Sequence, residues 1–238
     1  MKTYILRAEW NNLVMANYVV PKKLLLPYLP AKTELDFFEG KCYITLAGFM
    51  FLNTKMRGFS VPFHTDFEEV NLRFYVKCNA TKFKKKGVVF IKEIVPRRAI
   101  SLVANSIYRQ NYVTMNMRHF HRLEGNFLEA GYEWKYKDAW NRLSAKAHSK
   151  STPICNGSYE EFIADHYWSY RKYSDAITYE YEVEHPRWEI FKVADYQIDC
   201  DFKSIYGPEF SVLNKTEPAS VLLVKGSEIR VHPRRVLE

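Results

Sequence analysis

A chain of 238 residues carries a formal charge of +8, with 47% hydrophobic and 16% aromatic residues. That length allows roughly 70 to 75% of the unfolded surface to be buried, and so much apolar and aromatic side chain excludes a disordered chain and leans toward strands. The positive charge would suit a polyanion, but it collects in Lys82, Lys84, Lys85 and Lys86 and in Arg230, Arg234 and Arg235; the lysine run reads as a solvated hairpin tip, and no nucleic-acid partner is expected.

Cys42, Cys78, Cys155 and Cys200 form no C-x-x-C pair, which removes zinc-ribbon and thioredoxin-type readings and predicts reduced, mostly buried thiols. Arg7 and Glu9 interrupt what would be a signal-peptide core, and the longest apolar stretch, 44–52, is far below the ~20 residues of a membrane helix. A cytoplasmic chain without membrane contact is expected.

Residues 21–26 predict a short helix with proline in its first turn, stopped near Pro27 and Pro30. Residues 34–38 and 41–51 predict a hairpin turned at Glu39 and Gly40. Over 67–76, Val70, Leu72, Phe74 and Val76 alternate with Glu69, Asn71 and Arg73, the period of a strand. Residues 82–87 turn that strand into a β-branched one over 88–95, paired antiparallel with it. Ile100, Val103, Ala104 and Ile107 recur at helical spacing and predict a helix to about residue 109. Residues 112–123 alternate again and turn at Glu124, Gly125 and Asn126 into a strand over 127–134. Ser158 and Glu161 form a capping box and predict a helix to about residue 170. Residues 178–183 and 187–191 read as strands, and 219–225 with 228–232 as a closing pair around Gly226. No repeat or linker divides the chain, so one domain over 1–238 is expected. Many short antiparallel strands with two or three short helices give a β-rich α+β class and a closed or nearly closed barrel, which leaves no exposed edge.

Asn17-Tyr18-Val19-Val20-Pro21 leading to Leu29-Pro30, Leu35-Asp36 with Phe38 and Gly40, Phe67 to Arg73 with Tyr75-Val76, Gly87-Val88-Val89-Phe90, and His185-Pro186-Arg187-Trp188 occur in that order. Together they resemble the YqjF-like family, a domain of unknown function in the acetoacetate-decarboxylase-like superfamily, through about residue 195. The resemblance implies an antiparallel acetoacetate-decarboxylase-like β-barrel around a ligand cavity, with the family's pocket carboxylate at Glu69. It also places the superfamily's Schiff-base lysine and its lysine neighbour at Tyr112 and Val113. The pair whose repulsion lowers an amine pKa is thus missing, and Schiff-base decarboxylation is not expected.

Glu69, Asn71 and Arg73 lie ~6 to 7 Å apart along one strand face. The pattern alone leaves two readings open. One is a polar outer face; the other is a cavity wall in which Arg73 grips a carboxylate two-pronged and Glu69 carries a proton. The resemblance favours the second for Glu69 and Arg73. Tyr112, with Tyr108 one turn earlier, is placed to hydrogen-bond a substrate oxygen, against the ordinary reading of tyrosine as a packed aromatic with a wet tip. His119 and His121 share a strand face, with His64 or His185 as a third candidate ligand, but Arg118 and Arg122 beside them disfavour a cation. Neither metal nor cofactor is expected, and no Walker loop, G-x-G-x-x-G or G-x-S-x-G occurs. The aromatic and basic run 167–173 reads as a packing stripe rather than a base-stacking surface. The function read is a small-molecule binding protein or cofactor-independent enzyme for a small organic acid or carbonyl compound. The alternative is a non-catalytic interaction or scaffold protein that uses the barrel surface.

Overall fold

The structure is a computed structural model and describes residues 3–78, 85–107 and 111–237. Lys82 and Lys84 of the predicted turn lie outside the described residues, as does Tyr108. The chain enters on a long strand, β1 (Leu6–Val20), makes a helical turn, α1 (Lys22–Leu25), and a short β2 (Thr33–Leu35), then returns along β1 as β3 (Cys42–Met56). β4 (Phe67–Cys78) and β5 (Lys85–Val95) continue antiparallel, and α2 (Arg98–Ile107) leads into β6 (Tyr112–Thr114). The hairpin of β7 (Asn116–Glu124) and β8 (Phe127–Tyr136) is extended by β9 (Ala139–Pro153). Then come α3 (Tyr159–Ala164), β10 (Trp168–Lys172), β11 (Thr178–Glu184), β12 (Glu189–Asp199), α4 (Phe202–Tyr206), β13 (Ser220–Val231) and β14 (Arg235–Leu237).

β11, β10, β5, β4, β3, β1 and β13 are neighbours in that order, and β11 also pairs with β13 at Val183–Val231 and Glu184–Arg230. The path therefore returns on itself, which removes the two free edges such a ladder would expose. β12, β9, β8 and β7 carry the sheet on from β13, and Leu128, Tyr132, Trp134 and Leu143 pack with Val70, Leu72 and Phe74 of β4 in one apolar cluster. The opposite face of β4 belongs to a second cluster that includes Phe67, Tyr75, Phe162 and Trp188. Both faces of β4 are thus covered, so Glu69, Asn71 and Arg73 are buried at 2%, 1% and 6% exposure and do not form a polar outer face. The β-rich α+β class holds. The expected uniform antiparallel pairing does not, because β10 and β6 both lie parallel to β5.

Five local expectations are corrected. First, the strand expected over 112–123 divides into β6, parallel to β5, and β7. Residues 34–38 turn at Glu39 and Gly40, but β2 pairs with the end of β4, not with β3. Buried Asp36 explains the choice: its N–H donates to the Tyr75 carbonyl at 3.0 Å and its carboxylate meets Lys77 Nζ at 2.6 Å. The helix started by Ser158, whose hydroxyl accepts from the Glu161 N–H at 3.2 Å, ends at Ala164, and the residues beyond form β10, whose pairing with β5 is distant in sequence. Lys85 is not a solvated tip residue; it begins β5 and its ammonium lies 2.7 Å from the buried Glu180 carboxylate. The cysteines are free, with Cys155 exposed and the other three buried. No helix among the described residues is long and apolar enough to cross a membrane.

Gly226 does not turn a hairpin either. β13 runs through it as one strand, with Gly226 at φ +83° opposite Asn11, beside the bulge in β1 where Asn12 has φ 53°. A glycine inside a strand marks a close backbone approach, and here a Cβ would run into the Trp10 carbonyl. Gly226→Ala is expected to cost about 2 kcal/mol or more, measured as a lower denaturant midpoint. An unchanged midpoint would mean the paired kink is not under constraint.

Candidate functional site

A cavity of about 240 Å³ lies within the returning path, and every one of its strands contributes lining side chains, from Trp10 of β1 to Val231 of β13. Its charged lining groups come from neighbouring strands. Register sets Asn71 of β4 beside Glu93 of β5, and Glu93 beside Tyr112 of β6, so one row across three strands brings these side chains together. Glu69 and Arg73 flank that row along β4 at the alternate positions that share a face.

β6 is short, and helix α2 fixes it. Asn105 donates to the Tyr112 carbonyl at 2.8 Å and accepts from the Tyr112 N–H at 3.0 Å. The Tyr112 hydroxyl then donates to Glu69 Oε2 at 3.0 Å, while Asn71 Nδ2 donates to Glu69 Oε1 at 2.9 Å. Asn71 is not among the cavity-lining residues; it braces Glu69 from the side. Glu93 shares the Tyr112 hydroxyl, and its Oε2 is buried without a partner. A phenol has one proton. The two carboxyls therefore compete for it: with that proton directed at Glu69, an ionised Glu93 is left without a donor from Tyr112.

Burial and charge unbalance the two acids. Burial pushes the Glu69 carboxyl up from 4.5 to about 7, against the pull of the Asn71 and Tyr112 hydrogen bonds and the Arg73 charge. Burial, reinforced by the charge of Glu69, holds Glu93 well above the ordinary carboxylate range, opposed by Tyr112 and Arg171. Tyr112 is raised as well, by burial and by both carboxylates. Two buried acids driven apart in this way divide into a proton donor and a proton acceptor.

Arg73 supplies the positive charge. Among the described residues no carboxylate reaches it at salt-bridge distance; its Nη2 lies 3.9 Å from Met15 Sδ, and its Nε is buried without a partner. Below it a chain of side chains crosses the sheet. Thr45 donates to Asn17 Oδ1 at 2.7 Å, so Tyr75, 2.6 Å from the Thr45 hydroxyl, must be the donor to it. Asn17 donates to Ser220 at 2.9 Å, and Ser220 to Tyr159 at 3.1 Å. The Tyr75 oxygen is then left to accept from Arg73, which orients the guanidinium from beneath. His166 packs against Tyr75 with the rings tilted by 40° and their centres 4.7 Å apart, and burial and the Arg73 charge hold it neutral.

Glu69, Arg73 and Tyr112 thus line one cavity, with Asn71 bound to Glu69. Sequence reasoning missed Glu93, although an acid inside the apolar run 88–95 was a visible signal. It also missed Ser169 and Tyr181, which line the cavity from β10 and β11. His119 and His121 stand apart on β7, where His119 Nδ1 meets Glu68 at 2.6 Å, and no cluster suited to a metal occurs among the described residues.

The chain matches the model of the DUF2071 family, described as uncharacterized conserved protein, over residues 7–228. It is 28% identical over 192 residues to the uncharacterized protein YqjF of Bacillus subtilis (strain 168), covering 78% of this chain and 74% of that protein. In structure it is similar to acetoacetate decarboxylase from Legionella pneumophila, with a TM-score of 0.66, 11% identity, and coverage of 100% of this chain and 90% of that one. It is also similar to the enduracididine biosynthesis enzyme MppR complexed with pyruvate, with a TM-score of 0.68, 12% identity, and coverage of 100% and 92%. Identities this low speak for the fold alone. Matched by the family model over nearly its whole length, the chain belongs to the YqjF-like DUF2071 family and has the acetoacetate-decarboxylase-like fold.

Proposed function

We propose that this chain is one domain, a barrel that binds a small carbonyl compound or organic acid and transfers a proton on it without a cofactor. The observation that carries this reading is the pair of buried carboxyls, Glu69 and Glu93, sharing the Tyr112 hydroxyl at one cavity wall beside Arg73. Arg73 takes the anionic group or the oxygen that gains charge, ionised Glu69 accepts a proton from the carbon beside the carbonyl, and Tyr112, released as Glu69 takes that proton, turns its own to the oxygen. Protonated Glu93 returns a proton through Tyr112. No lysine is among the described lining residues, which supports a route that forms no Schiff base. A cavity with convergent polar groups favours this reading over that of a scaffold whose barrel surface recruits another macromolecule.

A thermal-shift screen of wild type and Glu69→Gln against carboxylic acids, β-keto acids and aldehydes tests it. A ligand at 100 times its dissociation constant adds about 2.7 kcal/mol of apparent stability. Hits on the wild type that shrink in Glu69→Gln are expected; hits of equal size on both proteins would place binding elsewhere.

A further inference from the structure

The cavity is asymmetric along its length. Its carboxylates and guanidinium lie where β4 pairs with the first half of β3, since Arg73 faces Thr45 and Glu69 faces Phe49 in register. From Phe49 the lining continues along β3 through Phe51 to Met56, a run of roughly 20 Å at strand spacing. Walls there are mostly aromatic and aliphatic, with Thr54 and His64 the polar members: Trp10 sits 5.1 Å from Phe49, and Phe51 stacks on Phe67 at 4.7 Å. The lining reaches solvent at exposed Val61 and Ala99. A keto acid of two or three carbons would satisfy the charged end and leave this apolar length wet, which forgoes the burial that drives binding.

We propose that the site takes a carbonyl compound with an aryl or medium-chain alkyl body, its carbonyl held at Arg73, Glu69 and Tyr112 and its body lying along β3 toward Met56. A 150 Å³ cavity accommodates benzene, so the 240 Å³ here accommodates roughly ten non-hydrogen atoms by the same scale. This class rests on the reading of Glu69 and Arg73 as the polar end of a ligand site, and it adds that the apolar body sets affinity.

The test is calorimetric titration of the full chain with methyl ketones from 2-butanone to 2-decanone, with 4-phenyl-2-butanone, and with pyruvate. Burying one methylene contributes about 0.8 kcal/mol, so affinity is expected to rise about threefold to fourfold per added carbon and to level off near ten non-hydrogen atoms. Ala99→Trp, a change at an exposed helical position on the lining, is expected to weaken the long ketones and spare 2-butanone. If pyruvate or 2-butanone binds as tightly as 2-nonanone and loses affinity in Glu69→Gln, the ligand class is wrong and the site stands. If no probe binds, both fail.

Discussion

Arg73→Met should abolish the binding of anionic ligands while leaving the fold as stable as before or more so. A buried cation with no carboxylate at salt-bridge distance among the described residues has lost its hydration without a full Coulombic return, and an apolar isostere removes that cost. Glu69 does not become a stranded charge in the variant. Without Arg73 its carboxyl, already raised to about 7 by burial, moves further up and is neutral at pH 7. The thermal midpoint is expected to hold or to rise by the equivalent of about 1 to 3 kcal/mol. Removing the partner of a bound carboxylate costs about 3 kcal/mol or more, which is about a hundredfold or more in affinity; a neutral ketone loses much less. Denaturation and titration on the same preparation check both halves. A variant that unfolds easily yet binds acids normally would make Arg73 a structural residue.

The second large effect is a pH dependence of stability that belongs to Glu69. A carboxyl whose folded pKa is raised stabilises the folded state fully below its unfolded value near 4.5, and this contribution is lost as pH rises through about 7. Holding the ionised form in the cavity wall costs about 3 kcal/mol. The facing groups are Asn71, Tyr112, Arg73 and Glu93, with Arg171 behind Glu93. Buried His166 and His185 work in the opposite direction, since a neutral histidine with a lowered pKa loses stability as pH falls below 6.5. The raw profile mixes both trends, and the difference between Glu69→Gln and wild type isolates the carboxyl. That difference should be small at pH 4.5 and favour the variant by about 2 to 3 kcal/mol at pH 8, read from urea midpoints across the range. A difference that stays constant from pH 4.5 to 8 would mean Glu69 titrates as an ordinary surface acid.

The legible parts of this fold are those whose signals are local. β4 reads directly from its alternation, β7 and β8 from alternation around Gly125, and the start of α3 from Ser158 and Glu161. β9 carries the same period in Leu143, Ala145 and Ala147, all buried, but alanine, arginine, serine and lysine are poor strand formers, which hid it. β2 and β10 depend on partners far along the chain, and the choice of β4 over β3 for β2 rests on Asp36 and Lys77. For the site, one strand face showed Glu69, Asn71 and Arg73 as a set, and the family likeness singled out Tyr112. What no single strand reveals is the register across β4, β5 and β6 that puts Glu93 against Tyr112. The kink at Gly226 was visible as a glycine, and its partner bulge in β1 was not.

Carbon-13 NMR of δ-labelled glutamates tests the central claim most directly, with Glu69→Gln and Glu93→Gln assigning the two signals, titrated from pH 4 to 9 with and without 2-octanone. The account predicts one carboxyl with a midpoint near 7, a second raised well above the ordinary carboxylate range, and a displacement of both when the ketone is added. Ordinary midpoints below pH 5 for both carboxyls, unmoved by the ketone, would contradict it.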